Sequence, residues 1–292
     1  MVAAAGILWG TSGLQVKTLL NYQLSVQNIV LWRMVFAVLV LFPFIFFTNR
    51  KLLKIDFKGL AYIALIGIFS QFLFNILYFS AIQKTSIATA VTLLYTAPVF
   101  TAIMARIFYK ELFTLYKTVS LLLCIGGCFF SATGGSMEIL RLNSPGVLMG
   151  VGAGFTFTLL TIITKAIIND YRQLTIIVYS IGFGLVFYLP FSHPLEIFQM
   201  ELPLNGWLLL CSIGLISTAL AHGLYTTGLS YGIEASKAGI ISTLELVVAV
   251  ILSSLIFKET LWGWKLAGIL MVISSVIIVQ MDKVLPLKNK NK

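Results

Sequence analysis

The chain has 292 residues, of which 59% are hydrophobic and 10% charged, and it carries 22 Phe against 10 acidic residues, for a mean hydropathy of +0.99. So little polar material excludes a soluble globular domain, because it cannot cover a water-facing surface. The net charge of +10 would suit a nucleic-acid partner, but its placement along the chain assigns it to membrane topology instead.

Apolar runs of roughly 18 to 25 residues cross a hydrocarbon core about 30 Å thick when helical. The sequence predicts about ten of them, at 2–20, 27–47, 58–82, 86–107, 115–132, 146–167, 173–191, 206–228, 235–256 and 262–281. A transmembrane barrel is excluded, because the alternating pattern it needs is absent and unsatisfied backbone in lipid is costly.

Span 1 opens with Ala3, Ala4 and Ala5, and no basic region precedes them. It therefore reads as a true span rather than a cleaved secretory leader. It carries Trp9 and two glycines four residues apart, Gly6 and Gly10, a spacing that lets helix backbones approach closely. Span 2 holds Arg33 about two turns in, expected to serve structure by bonding carbonyls or snorkelling outward, with binding of a substrate carboxylate as the alternative. In span 3, Gln71, Asn75 and Tyr78 fall at i, i+4 and i+7 and so share one helix face. Such a polar stripe turns away from lipid, either to bond a neighbouring helix or to line a wet cavity.

Span 4 contains Tyr95 and the kink-forming Ala97-Pro98. Lys110-Glu111 follows it, the acid suiting the N-terminus of the next helix. Cys124 and Cys128 in span 5 and Cys211 in span 8 read as small packing residues. In span 6, Gly146, Gly150 and Gly154 repeat every four residues; "GVGAGF" imitates a dinucleotide-binding turn, but it lies within a span and follows no strand. Span 8 repeats the polar stripe as Thr218, His222 and Tyr225, and His222 is a candidate proton relay because imidazole changes charge near neutral pH.

Span 9 places Glu245 near its middle. A charge there costs about 2.5–3.5 kcal/mol on insertion scales, so the carboxyl is expected to face the bundle interior, as a proton carrier, as a counter-charge for a substrate amine, or as a neutral acid hydrogen-bonded to a neighbouring helix. Lys258-Glu259 precedes span 10, and the tail "LPLKNKNK" is a short solvated end that can touch anionic headgroups. With ten spans and an inner N-terminus, fourteen of the 20 Lys and Arg residues fall in inner segments. Five fall outside (Lys17, Lys84, Arg141, Lys258, Lys265), and Arg33 lies within a span. The bias orients both termini to the cytoplasm.

Compared with itself at a shift of 147 to 148 residues, the chain matches repeatedly. "AGILWGTSGLQVK" (5–17) answers "AGFTFTLLTIITK" (153–165), "LFPF" (41–44) answers "YLPF" (188–191), and Lys110-Glu111 answers Lys258-Glu259. The expected architecture is an all-α integral membrane protein of ten transmembrane helices, in two five-helix units over 1–142 and 143–292. An odd number of spans per unit inverts the second copy relative to the first, an arrangement suited to alternating access around a midplane site.

The halves resemble two EamA domains of the drug/metabolite transporter superfamily. The resemblance rests on "GILWGTSG" in span 1, Arg33 in "LWRMVF", and the paired segments "LYFSAIQKTSIATAVTLLYTAPVFTAIMARIFYKEL" and "LYTTGLSYGIEASKAGIISTLELVVAVILSSLIFKET". One departure stands out: the family often shows Glu-Pro in span 9, and here Leu246 follows Glu245, so the kink is expected to be lost in that half. The resemblance implies a secondary transporter of small metabolites in a bacterial-type inner membrane, with a pocket lined mainly by spans 1, 3, 4, 6, 8 and 9.

The expected function is secondary-active or facilitative transport of small metabolites, amino-acid-like compounds foremost, with amines, quaternary cations or drug-like compounds as the alternative. Substrate contacts are expected from Trp9, Gln71, Asn75, Tyr78, Tyr95, His222, Tyr225 and Glu245, with Glu245 and His222 as candidates for proton coupling. Neither a phosphate-cradling loop nor a nucleophile–base set nor a zinc-ligand pair occurs, so no cofactor, metal or catalytic residue is expected. Partners are a small-molecule substrate and membrane lipid. Readings from other classes are a lipid-modifying membrane enzyme, which needs acids and His clustered at one interface, and a non-transporting scaffold, which leaves the polar stripes without a use.

Overall fold

The structure is a computed structural model and describes residues 1–138, 143–257 and 263–282, with helices and no strand among them. Nine helices of the described residues are long and apolar enough to cross a membrane. They are α2 (Val26–Thr48), α3 (Phe57–Lys84), α4 (Ile87–Tyr109), α5 (Leu115–Thr133), α6 (Ser144–Ile167), α7 (Gln173–Phe191), α8 (Leu204–Ser230), α9 (Ala235–Ile256) and α10 (Trp264–Met281). They are preceded by α1 (Val2–Leu20), helical over its expected run but more polar than the nine. Its polar residues are used inside the bundle: Gln15 Nε2 donates to Ser212 Oγ at 3.0 Å, and Ser217 Oγ donates to the Leu8 carbonyl at 3.2 Å.

The helices begin where the local sequence supplies an oxygen for the free N–H groups of the first turn. Ser25 caps α2, Asp56 caps α3, Ser86 caps α4, Thr114 caps α5 and Asn143 caps α6, each accepting from the N–H three residues on. Large apolar side chains such as Leu39, Phe44, Leu122, Leu148 and Leu270 point outward, as a lipid solvent allows.

Packing runs mainly between the two halves of the chain. α5 lies against α10, α2 against α7 and α4 against α9, while α1 meets α8 and α9 just as α6 meets α3 and α4. Replacing each helix by the one five places away reproduces this set of neighbours. The small residues explain how close the pairs come. A Cβ on Gly10 would lie 2.6 Å from the Glu245 carbonyl of α9, and one on Gly154 would lie 3.0 Å from the Leu94 carbonyl of α4.

Two irregularities also recur at matching places. α3 widens into a π-helical turn over Gly67–Leu73 and α8 into another over Ile213–Leu220. α4 breaks between Leu94 and Ala97, just before Pro98. α9 breaks at Thr243, so the absence of proline after Glu245 does not straighten this helix as the sequence led us to expect. The hydroxyls of Ser242 and Thr243 bond the carbonyls three residues back, at 2.8 and 2.6 Å, and that competition with the backbone ladder bends a helix without proline.

Candidate functional site: a polar cavity at the helix breaks

The π turns and helix breaks surround a cavity of about 100 Å³, enough for several waters at roughly 10–15 Å³ each. Its walls come from α1, α3, α4, α6, α8 and α9, and from α2 through Arg33. Of the residues singled out from sequence, Trp9, Gln71, Tyr95, His222 and Glu245 line this one space. Asn75, Tyr78 and Tyr225 are not on its lining. Asn75 is buried behind it, Tyr78 stacks on Phe74 at 5.7 Å, and Tyr225 backs the Trp9 ring at 5.2 Å with its hydroxyl 2.5 Å from Thr161 Oγ1. The i, i+4, i+7 stripe of α3 divides here because Gln71 sits inside the π turn, whose wider spacing rotates it relative to the α-helical residues that follow.

Glu245 emerges two residues after the break in α9. Its carboxylate has no hydrogen-bond or ion-pair partner among the described residues. Arg33 faces the same cavity without forming an ion pair with it. Nη2 of Arg33 donates to Asn75 Oδ1 at 3.1 Å, Asn75 Nδ2 donates to the Gln71 carbonyl, and the buried Nε has no partner among the described residues. The guanidinium is thus both tied to α3 and presented to the cavity, so the structural task and the alternative of meeting a substrate carboxylate are open to it together.

Gln71 and His222 connect the two halves, with Nε2 to Nε2 at 3.0 Å. His222 Nδ1 lies 2.8 Å from the Thr218 carbonyl. That oxygen can only accept, so Nδ1 carries the hydrogen, and in the neutral ring Nε2 is left to accept from the Gln71 amide. Rings complete the wall: Trp9 meets His222 edge-on at 5.2 Å and Phe157 at 6.0 Å, and Phe157 meets Phe74 at 5.6 Å. Sequence reasoning missed the hydroxyls of Ser12, Ser70, Thr101, Thr161, Ser217 and Ser242 on this lining. Ser and Thr are scattered through all the spans, and only Ser70 and Ser217, one residue before the members of the two stripes, carried a positional signal.

A second polar cluster closes one end of the bundle. Glu111, in the turn after α4, is 5% exposed. It accepts from Lys165 Nζ of α6 at 3.0 Å, from the N–H groups of Ala235 and Ser236 at 2.7 and 3.1 Å, and from Ser236 Oγ at 2.5 Å. Burial alone would raise this carboxyl, but the bonds from Ser236 and the charge of Lys165 prevail and hold it below the ordinary glutamate range. Lys117 of α5, 2% exposed, pairs with Glu234 at 2.9 Å, and Lys237 joins Glu234 to Asp282. Glu111 therefore caps α9, not α5 as its position in the sequence led us to expect; α5 is capped by Thr114. The matching Lys258-Glu259 lies outside the described residues.

A model of the EamA-like transporter family matches residues 1–133 and 144–281. The chain is 26% identical over 288 residues to an uncharacterized inner membrane transporter, YicL, of Salmonella typhimurium, covering 96% of this chain and 94% of that one. It is 26% identical over 281 residues to an uncharacterized transporter of Archaeoglobus fulgidus, covering 95% and 94%. It is also similar to mouse solute carrier family 35 member G1, 28% identical over 261 residues, covering 84% of this chain and 68% of that protein. A crystal structure described only as that of a protein superposes with a TM-score of 0.75 over 96% of this chain and 95% of its own, at 14% identity. At that identity the likeness concerns the fold alone.

Proposed function

The chain belongs to the EamA-like transporter family of the drug/metabolite transporter superfamily and is an integral membrane transporter, and from that premise we propose that it carries small metabolites by alternating access, as a secondary-active or facilitative carrier and not as an enzyme. In this reading α1 is a tenth span, the halves 1–142 and 143–292 are inverted repeats, and the exchange symmetry of helix neighbours supports it. The Lys and Arg distribution supports a bacterial-type inner membrane with both termini in the cytoplasm. The Glu111 cluster then closes the cytoplasmic end, and it must part when the cavity opens to that side.

One observation carries the proposal: Glu245, a carboxylate with no hydrogen-bond or ion-pair partner among the described residues, faces a polar space built from both halves. A charge in the membrane interior is costly, and a substrate ammonium or a proton compensates it while bound. Arg33 stands on the same cavity without an ion pair to Glu245, which favours amino-acid-like solutes whose two ends meet opposite charges. Asn75 then acts by positioning Arg33, and Tyr225 by holding Trp9. The second reading, an amine or quaternary cation, draws on Trp9, Phe74, Tyr95 and Phe157 around the acid, since ring faces attract cations.

Uptake by purified protein in liposomes tests this. Counterflow of labelled amino acids should be present, should fall at least about tenfold with Glu245→Gln at an unchanged melting temperature, and should lose its dependence on an imposed pH gradient if the carboxyl also carries protons. Counterflow of amines but not of zwitterions selects the second reading. Unchanged transport by Glu245→Gln removes this acid from the mechanism.

A further inference from the structure

We propose that the outer surface between α2 and α7 is a binding site for one anionic phospholipid, with an acyl chain in a groove between the two helices and the phosphate held by the basic turn that closes one end of it. The groove has a volume of about 220 Å³ and is walled by Val38 and Phe42 of α2 and by Tyr179, Gly182, Phe183 and Val186 of α7. The Tyr179 hydroxyl is turned away from it, to the Leu53 carbonyl, so what the groove presents is apolar. A Cβ added at Gly182 would meet nothing within 4 Å. This glycine keeps the floor open and is not required by packing.

The cations stand at one mouth only. The 3-10 turn Arg50–Leu53 follows directly on α2, and α7 fixes it: Thr175 Oγ1 donates to the Leu52 carbonyl and Tyr179 Oη to the Leu53 carbonyl, both at 2.7 Å. Tyr179 thus lines the groove and anchors the basic turn. Arg50, Lys51 and Lys54 are exposed, and no carboxylate pairs with them among the described residues. Arg50 is folded back along α2 toward the groove. Its Nε donates to the Phe46 carbonyl at 3.1 Å, its guanidinium carbon lies 4.1 Å over the Phe46 ring, and Phe46 stacks on Phe42 of the groove wall. A continuous path therefore runs from groove through two rings to a guanidinium whose outer nitrogens remain free to donate.

The depth fits. Phe42 and Tyr179 each lie six residues inside the helix ends nearest the turn, about 9 Å at 1.5 Å per residue, and Val186 about 20 Å inside. That is the span of one leaflet's hydrocarbon, measured from the headgroup level. A free phosphate would use the turn but leave the groove unfilled; a zwitterionic lipid would fill the groove but meet excess positive charge. An anionic phospholipid satisfies both.

The test is native mass spectrometry of the purified full chain, released from detergent with phosphatidylglycerol or phosphatidylcholine, together with melting temperatures in the same lipids. Each cation next to an anionic headgroup is worth about a fivefold change in binding. One phosphatidylglycerol should be retained at least about tenfold over phosphatidylcholine, and the combined Arg50→Gln, Lys51→Gln and Lys54→Gln variant should abolish that preference. Gly182→Leu, which fills the groove without touching the cations, should reduce retention of both lipids. Equal retention of the two lipids by the unaltered chain, or a preference that survives the triple variant, overturns the proposal. So does displacement of the lipid by millimolar inorganic phosphate, which would show a phosphate site without a chain site. The variants' melting temperatures in detergent alone confirm that each is folded.

Discussion

Replacing Glu111 by alanine removes an acceptor of four hydrogen bonds. It strands two backbone N–H groups at the first turn of α9 and leaves Lys165 with the Ile233 carbonyl, 2.9 Å away. Breaking a buried ion pair costs about 3–5 kcal/mol. Lys165 is 19% exposed and water can refill part of the site, so the lower figure, about 3 kcal/mol, applies. At about 1.4 kcal/mol per factor of ten, that is roughly a 150-fold change in an equilibrium constant. If the cluster exists only while this end is closed, the loss falls on that conformation and the opposite one gains population. Glu111→Gln keeps an acceptor without the charge and should give about half the effect.

The assay is the rate at which an impermeant maleimide added at this face labels a cysteine placed at Ser242 on the cavity wall, with Cys124, Cys128 and Cys211 replaced by serine. The rate should rise by up to about a hundredfold with Glu111→Ala. The pH dependence follows from the depressed carboxyl. A group that ionises more readily in the closed state stabilises it fully above the value it has when the cluster is open, and loses that contribution as pH falls through the lower closed-state value. Labelling of the unaltered protein should therefore climb only on acidification below the ordinary carboxylate range, and Glu111→Gln should remove that rise. Equal labelling with and without Glu111→Ala, at an unchanged melting temperature, would refute the reasoning.

Gly10→Ala forces a methyl to within 2.6 Å of the Glu245 carbonyl and of Val248 Cβ. It should cost about 1–3 kcal/mol as overpacking, read as a lower melting temperature, while Gly13→Ala, with nothing within 4 Å of its Cβ, should be neutral. Asn75→Ala removes the one side chain bonded to Arg33 among the described residues and should lower stability by about 1.5–3 kcal/mol and raise the KM of counterflow. No change in KM would detach Arg33 from substrate binding. Tyr225→Phe deletes the bond to Thr161 behind the cavity and should cost about 1 kcal/mol with kcat nearly unchanged; a transport loss as large as that of Glu245→Gln would place the hydroxyl on the substrate.

The membrane helices were legible because hydropathy acts over one contiguous stretch. An apolar run in lipid must satisfy its own backbone, and helix is the local answer. For the same reason the self-similarity of the sequence and the cost of burying Glu245 could be read directly, and the glycines that α1 and α6 press against α9 and α4 were visible from their spacing. The same reasoning reached its limit where a residue's role depends on a helix far away in sequence.

Gln71, Asn75 and Tyr78 occupy one face only if α3 is regular, and its π turn moved Gln71 to the cavity while Asn75 went to Arg33. The kink of α9 survived without proline because two hydroxyls compete with its backbone ladder. Glu111 reached past the helix beside it to cap α9, 124 residues away. Composition and periodicity thus determined that the chain crosses the membrane and which residues are too polar for lipid, since both are properties of single helices. Which polar groups meet, and which carboxylate faces the cavity with no hydrogen-bond partner among the described residues, was decided only when the helices packed, because a buried polar group settles on whatever donor or acceptor the neighbouring helix brings within about 3 Å.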